Sequence, residues 1–240
     1  MKKRSIIIKI AVFFVLLIVV INTAFKYYVE DYYYAKDYDV QVEAFVDTED
    51  YIVYGDTKST EGFIFYPGAK VDEAAYAPIM DELAESGICC VVVKMPYHMA
   101  IFDTDAAGTV KEQFGEIERW YIGGHSMGGA MAARYATEHE TELEGLILLA
   151  AYPTNELLEL PVLSIYGSED EVLNLEKYTK SISLAQNLTE YVVEGGNHAG
   201  FGNYGIQNGD GTAEIRMEEQ WQETVDYILN FMDDNRVEAE

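Results

Sequence analysis

The sequence predicts an α/β domain built on a mostly parallel central sheet flanked by helices. From residue 40 onward, apolar strand-like runs alternate with amphipathic helix-like stretches, which is the pattern of this class. The run at residues 88–93 is apolar on both faces, as a central parallel strand must be. The chain has 240 residues, 49% of them hydrophobic, so one sizeable folded domain is expected.

The individual elements follow from short apolar runs and from the residues that end them. Strands are predicted at residues 40–45, 51–54, 63–66, 88–93, 120–122, 143–150, 161–166 and 189–193. Helical stretches are predicted at residues 72–86, 103–115, 173–184 and 212–232, with a further helix directly after Ser126. Pro67 and Gly68 end the third strand, and Gly87 ends the first of these helices. Since there is neither an internal repeat nor a low-complexity linker after residue 40, residues 40–240 are predicted to form one domain.

The charge balance is strongly acidic, with 16 basic and 42 acidic residues and a net charge of -26. Such a surface repels nucleic acid and anionic lipid headgroups, so nucleic acid is excluded as a partner. A solvated surface that keeps the protein soluble accounts for the acidity.

The N-terminus carries a membrane signal. Residues 1–4 are basic apart from the initial Met, and residues 6–25, apolar except for Lys9, Asn22 and Thr23, have a length that just spans a hydrocarbon core. We therefore expect a signal anchor at residues 1–25, with the basic flank in the cytoplasm and the rest of the chain outside the cell membrane. The alternative is a cleaved signal peptide and a secreted protein. Residues 26–39, rich in Tyr and acidic residues, are predicted to be a stalk at the membrane interface or a first helix on the domain.

Cysteine and histidine usage excludes several classes of site. Cys89 and Cys90 are neighbours on a strand and so point to opposite faces, which predicts two buried free thiols. The sequence has no Cys/His cluster of the kind that binds a metal, and it has no glycine-rich loop with the spacing of a dinucleotide- or phosphate-binding site. Neither a metal nor a cofactor is expected.

The pentapeptide from Gly124 to Gly128, Gly-His-Ser-Met-Gly, predicts a nucleophilic serine at residue 126. A strand-like run precedes it and a helix-like run follows. A serine hydroxyl reacts only when a sharp turn presents it to a base, and such a turn needs small flanking residues. Gly124 and Gly128 meet that need.

A serine of this kind requires an acid and a base later in the chain, each on a loop after a strand. Asp170 follows the strand at 161–166 and is the predicted acid, with Glu169 and Glu171 as alternatives. His198 follows the strand at 189–193, within a glycine-rich loop, and is the predicted base.

The other three histidines are assigned different places. His125 is expected to be a packed neighbour turned away from the nucleophile, and His139 a surface residue. His98 follows the strand at 88–93 and is a candidate to line the substrate cleft.

Charge that develops on a carbonyl oxygen under attack by Ser126 needs two backbone donors. Met127 begins the helix after the nucleophile and supplies one amide. Ala69, in the loop after the third strand, is predicted to supply the other, with Gly68 giving that turn its freedom. Gly68 and Phe201 join His98 as predicted substrate-binding residues.

From about residue 50 to the end, the chain resembles the compact, lidless branch of the alpha/beta-hydrolase family. The segments that carry the resemblance occur in family order at residues 65–71, 123–130, 166–170 and 195–211. The resemblance implies that Ser126 is the nucleophile, Asp170 the acid and His198 the base, with an oxyanion hole at Ala69 and Met127. Members include esterases, lipases, thioesterases, peptidases and acyltransferases.

Only about ten residues separate Ala150 from Pro161, so no lid is inserted there and the cleft is expected to be open. The long loop at residues 195–211 is a candidate cover for the substrate. We expect a membrane-anchored, extracytoplasmic serine hydrolase that cleaves a small-molecule carboxylic ester through an acyl-enzyme. The alternatives are an acyltransferase acting on a cell-envelope acceptor and a non-catalytic binding protein on a hydrolase scaffold.

Overall fold

The computed structural model describes residues 2–238, which fall into two compact units that meet in sequence at Tyr32 and Tyr33. The first unit is a single helix, α1 (Lys2–Glu30). Its segment Lys9–Glu30 is long and apolar enough to cross a membrane, with a mean hydropathy of 2.2. A signal sequence would have the same composition.

The second unit contains one mixed, mostly parallel sheet, which confirms the predicted fold class. Its eight described strands are β1 (Phe45–Asp47), β2 (Tyr51–Tyr54), β3 (Glu61–Tyr66), β4 (Cys89–Val93), β5 (Arg119–His125), β6 (Gly145–Leu149), β7 (Leu157–Gly167) and β8 (Ala185–Val193). Their order across the sheet is β1-β2-β4-β3-β5-β6-β7-β8. The pairs β1/β2 and β2/β4 are antiparallel, and every other neighbouring pair is parallel. The carboxyl ends of β3 to β8 therefore meet at one edge of the sheet.

Helices cover both faces of this sheet. They are α2 (Ala77–Glu85), α3 (Ala106–Gln113), α4 (Met127–Glu138), α5 (Leu175–Ser181) and α6 (Met217–Glu238). Successive side chains of β3 point to opposite faces of the sheet and so enter two separate hydrophobic cores. Phe63 and Phe65 pack in the core under α2 and α6. Ile64 and Tyr66 pack in the core under α3 and α4. Cys90 lies in the core under α2 and α6, and Cys89 lies in the core under α3 and α4. Both are buried free thiols, as predicted.

The predicted first strand at residues 40–45 is wrong in position. β1 starts at Phe45, because the amides of Gln41 and Val42 donate to the carboxylate of Asp81 at 2.8 and 3.0 Å instead of joining a ladder. Asp81 is only 1% exposed, so hydrogen bonds from this segment replace those that its carboxylate would otherwise make to water. The predicted boundary at residue 40 stays a prediction, while the compact unit begins at Tyr33.

Residues 33–37 run as an irregular strap over two loops at the carboxyl edge of the sheet. The Tyr33 amide donates to the Lys70 carbonyl at 2.7 Å, and the Lys36 amide donates to the Asn203 carbonyl at 2.8 Å. The Tyr33 hydroxyl accepts a hydrogen bond from the Asn208 amide at 3.2 Å. The strap thereby joins the loop after β3 to the loop after β8.

Several later elements differ from prediction at their starts, among them β8, which begins at Ala185 rather than at residue 189. β7 begins at Leu157 rather than at Pro161, with a register irregularity between these two residues in its pairing with β8. Proline has no amide hydrogen to donate to a ladder, and the irregularity in the pairing with β8 ends at Pro161. The last helix begins at Met217 rather than at residue 212.

Candidate active site

Ser126 occupies the turn between β5 and α4, at the carboxyl edge of the sheet. Its backbone has φ 54° and ψ -121°, a left-handed conformation that a non-glycine residue adopts only under constraint. The amide of Ser126 donates to the Leu149 carbonyl at 2.9 Å, which ties the turn to β6. The turn thus presents the side chain at the edge of the sheet and does not bury it in either core.

Close backbone approach explains the two glycines that flank Ser126. A Cβ atom on Gly124 would lie 2.5 Å from the Tyr66 carbonyl oxygen, and one on Gly128 would lie 2.1 Å from the same oxygen. Neither position has room for a side chain. The turn can form against the end of β3 only because both residues are glycine.

Asp170 and His198 form a buried pair on the loops after β7 and β8. The Nδ1 atom of His198 lies 2.8 Å from Oδ2 of Asp170, and the two side chains are nearly fully buried. The other oxygen of Asp170 accepts the amides of Val172 and Leu173 at 2.9 and 2.7 Å. The carboxylate is therefore fixed on both oxygens, and the opposite nitrogen of His198, Nε2, has no hydrogen-bond partner among the described residues.

Two further polar side chains hold the loop that carries His198. The Asp210 carboxylate accepts the amides of His198 at 3.3 Å and of Ala199 at 2.8 Å. The buried Gln220, on α6, exchanges two hydrogen bonds with the backbone of Asn197 at 3.1 and 2.8 Å. The loop was a predicted cover for substrate, but Phe201 and Tyr204 within it are buried.

Ser126, Met127 and His198 line one cavity of about 280 Å³. The remaining lining residues come from α4 and from the loops after β6 and β7, and are mostly small or apolar: Ala130, Ala150, Ala151, Tyr152, Thr154, Val172, Leu173 and Asn174. A hydroxyl and an imidazole thus line the same small, largely apolar space.

The loop after β3 lies beside this turn. Among the described residues, neither the amide of Ala69 nor that of Met127 donates a hydrogen bond. The neighbouring amides are occupied, because Gly68 donates to the Tyr76 hydroxyl at 2.8 Å and Lys70 to the His98 carbonyl at 2.7 Å. Met127 begins α4, where the dipole of the helix also favours negative charge.

The three predicted substrate-binding residues do not line the cavity of Ser126. His98 contacts Glu73, with Nδ1 at 3.0 Å from the carboxylate. Phe201 is fully buried and packs in the core, and the Gly68 amide is already bonded. Each of these side chains or amides is held by another part of the domain.

Sequence reasoning expected His125 to be a packed neighbour of the nucleophile and did not single out Tyr76. His125 is 1% exposed, and its Nδ1 atom lies 2.9 Å from the Tyr76 hydroxyl. Burial, and next the charge of His198, hold the pKa of His125 well below its usual range, so this ring is neutral. Tyr76 and His125 are 49 residues apart in sequence, and no local pattern links them.

The parallel sheet, the strand-turn-helix at Ser126 and the loops that carry Asp170 and His198 define a hydrolase architecture. The sequence model of the alpha/beta hydrolase family matches residues 62–222. The chain belongs to the alpha/beta hydrolase family.

Solved structures with the same fold are distant in sequence. The chain is similar to Est1E from Butyrivibrio proteoclasticus with bound ferulic acid, at 15% identity over 79% of this chain and 99% of that one, with a TM-score of 0.57. It is also similar to a membrane phospholipase A described as a bacterial virulence factor, at 14% identity over 95% and 99% of the two chains, with a TM-score of 0.62. Thermogutta terrifontis esterase 2, phosphoramylated by tabun, matches at 15% identity over 82% and 94%, with a TM-score of 0.56. No curated protein sequence matches the chain.

Proposed function

We propose that the protein is a serine hydrolase that cleaves carboxylic esters through Ser126, His198 and Asp170. The observation that carries the proposal is the buried Asp170–His198 pair at 2.8 Å, whose histidine lines the same cavity as Ser126 on its left-handed turn. The fold is shared with esterases and a phospholipase, which supports an ester as substrate.

In the proposed mechanism, Nε2 of His198 takes the hydroxyl proton as the Ser126 oxygen attacks the ester carbonyl. Asp170 keeps the proton of His198 on Nδ1, so that Nε2 is free to accept one. The amides of Ala69 and Met127 stabilise the tetrahedral oxyanion, and its collapse releases the alcohol, which takes the proton from His198. Water then attacks the acyl-enzyme in the same way and releases the acid.

The test is active-site labelling of the purified protein. We expect a fluorophosphonate probe to modify Ser126, and hydrolysis of nitrophenyl esters to be lost in Ser126→Ala and in His198→Ala. A folded wild-type protein that takes up no probe would refute the proposal and would favour a binding protein on a hydrolase scaffold.

The cavity supports a small acyl or alcohol group as the part of the substrate that enters it. Its volume of about 280 Å³ is at the lower limit of ordinary ligand pockets, and three alanines face it. We therefore expect nitrophenyl acetate or butyrate to be cleaved with a higher kcat/KM than nitrophenyl laurate. A preference for laurate would contradict this assignment.

The N-terminal helix supports a membrane-anchored protein with the hydrolase domain outside the cytoplasm. Lys2, Lys3 and Arg4 precede the apolar segment, whereas Lys26 alone directly follows it and is followed by Glu30 and Asp31, so the excess of basic charge on the N-terminal side favours that orientation. We expect the full-length protein to stay in the membrane fraction after alkaline carbonate extraction, and the domain to be digested by protease added to cells stripped of their outer layers. Recovery of a shortened chain from the medium would show instead that the segment is a cleaved signal peptide.

A further inference from the structure

A buried hydrogen-bonded chain connects the loop that bears Ala69 to the turn that bears Ser126. The Gly68 amide donates to the hydroxyl of Tyr76 at 2.8 Å, and this hydroxyl lies 2.9 Å from Nδ1 of His125. Because the hydroxyl oxygen accepts from the amide, its own proton is directed to Nδ1. The chain therefore ends at Nδ1 of His125, whose other ring nitrogen, Nε2, has no hydrogen-bond partner among the described residues.

The His125 ring also lies against the base of the proposed mechanism. The ring centroids of His125 and His198 are 4.5 Å apart, with an interplanar angle of 48°. His198 becomes positively charged during each proton transfer, and a second charge in contact with it would oppose that step. The burial of His125 keeps its pKa low, so the neighbouring ring stays neutral throughout.

The backbone at Gly68 packs tightly against this pair. A Cβ atom on Gly68 would lie 2.8 Å from Nδ1 of His125 and 3.0 Å from the Tyr76 hydroxyl, so the glycine backbone rests directly on both groups. The Ala69 amide belongs to the next peptide unit along the chain. Its direction therefore depends on how Gly68 is held.

We propose that Tyr76 and His125 are positioning residues that hold the Ala69 amide in place for the transition state. The inference rests on the proposed function, since it concerns the oxyanion donor of the same site. Neither residue contacts substrate in this account. They act on Gly68 and through it on Ala69.

The test is the kinetic effect of removing one hydroxyl group. An oxyanion donor acts on the transition state and not on the bound ester, so we expect Tyr76→Phe to lower kcat about 10- to 100-fold while KM changes by less than about threefold. Tyr121→Phe is the matched control, because Tyr121 is fully buried and its hydroxyl donates to the Met232 carbonyl at 3.3 Å, away from the site. An unchanged kcat in Tyr76→Phe, or an equal loss in Tyr121→Phe, would overturn the proposal.

A second pair of variants separates positioning from packing. In His125→Asn the amide can replace Nδ1 as the partner of Tyr76, whereas His125→Leu removes it, so we expect the Asn variant to keep more of its kcat. Equal losses in both would count against the proposal. Should the Leu variant not fold, the comparison of Tyr76→Phe with Tyr121→Phe decides alone.

Failure of this inference is distinguishable from failure of the proposed function. If wild type is labelled at Ser126 and hydrolyses esters but Tyr76→Phe is as active, only the positioning role is refuted. If wild type is neither labelled nor active, the proposed function itself is refuted.

Discussion

Substitution of Asp170 by Asn tests the proposed acid with a change of one atom. The Val172 and Leu173 amides both donate to Oδ1, so the asparagine must keep its carbonyl oxygen there and turn its NH2 group toward His198. The reverse orientation would lose two hydrogen bonds of about 1 kcal/mol each, a preference of about 2 kcal/mol or roughly thirtyfold. An NH2 group facing Nδ1 drives the histidine proton to Nε2, which can then no longer accept a proton from Ser126.

We therefore expect Asp170→Asn to lower kcat/KM for a nitrophenyl ester on the order of 10⁴-fold while the fold is retained. Glu169→Gln and Glu171→Gln are the controls, since sequence alone left these neighbours as alternative acids and the structure places neither against His198. Both should keep activity within about threefold of wild type. An Asp170→Asn variant with more than a tenth of the wild-type activity, or a severe loss in either glutamate variant, would refute the assignment.

Three further predictions concern stability and reactivity. Gly128→Ala would place a Cβ 2.1 Å from the Tyr66 carbonyl oxygen, so it should lower the free energy of unfolding by about 2 kcal/mol or more. Gly108→Ala is the control, because its Cβ would have its nearest contact at 3.8 Å and should not lower that free energy. Thermal unfolding in detergent compares the two variants. Asp81→Ala leaves two backbone amides without their acceptor and should cost about 2 to 3 kcal/mol in the same assay. Burial raises the pKa of Cys89 to about 12, so iodoacetamide at pH 8 should modify this thiol only after denaturation, as mass spectrometry would show.

The fold class was predictable because the apolar runs on central strands are unambiguous. The run that forms β4 is apolar at every position, and all five of its residues are buried. Prediction failed at residues 40–45, where apolar and polar residues alternate as in a strand. Asp81, some forty residues further along, takes the amides of this segment, and no local pattern reveals such a partner.

Within the candidate site, too, local patterns were predictive and contacts between residues distant in sequence were not. Ser126, Asp170 and His198 each stand after a strand at the same edge of the sheet, so chain order alone suggested that they could meet, and the structure brings Asp170 and His198 into contact. The contact between Tyr76 and His125 depends on how α2 and β5 pack, which spacing along the chain does not encode. His98 shows the converse, because a position after a strand did not place it at the cavity.

Backbone strain is concentrated at this edge of the sheet. Among the described residues, the non-glycine positions of positive φ are Lys70, Tyr97, His98, Ser126 and Ala150. They stand in the connections after β3, β4, β5 and β6, all at the carboxyl ends of parallel strands. Each such conformation costs about 1 kcal/mol or more and persists only because the strands beneath are fixed by a fully buried core. The sheet thus holds these turns in conformations that they would not adopt alone, and substitutions that relieve the strain should stabilise the domain at the expense of the site.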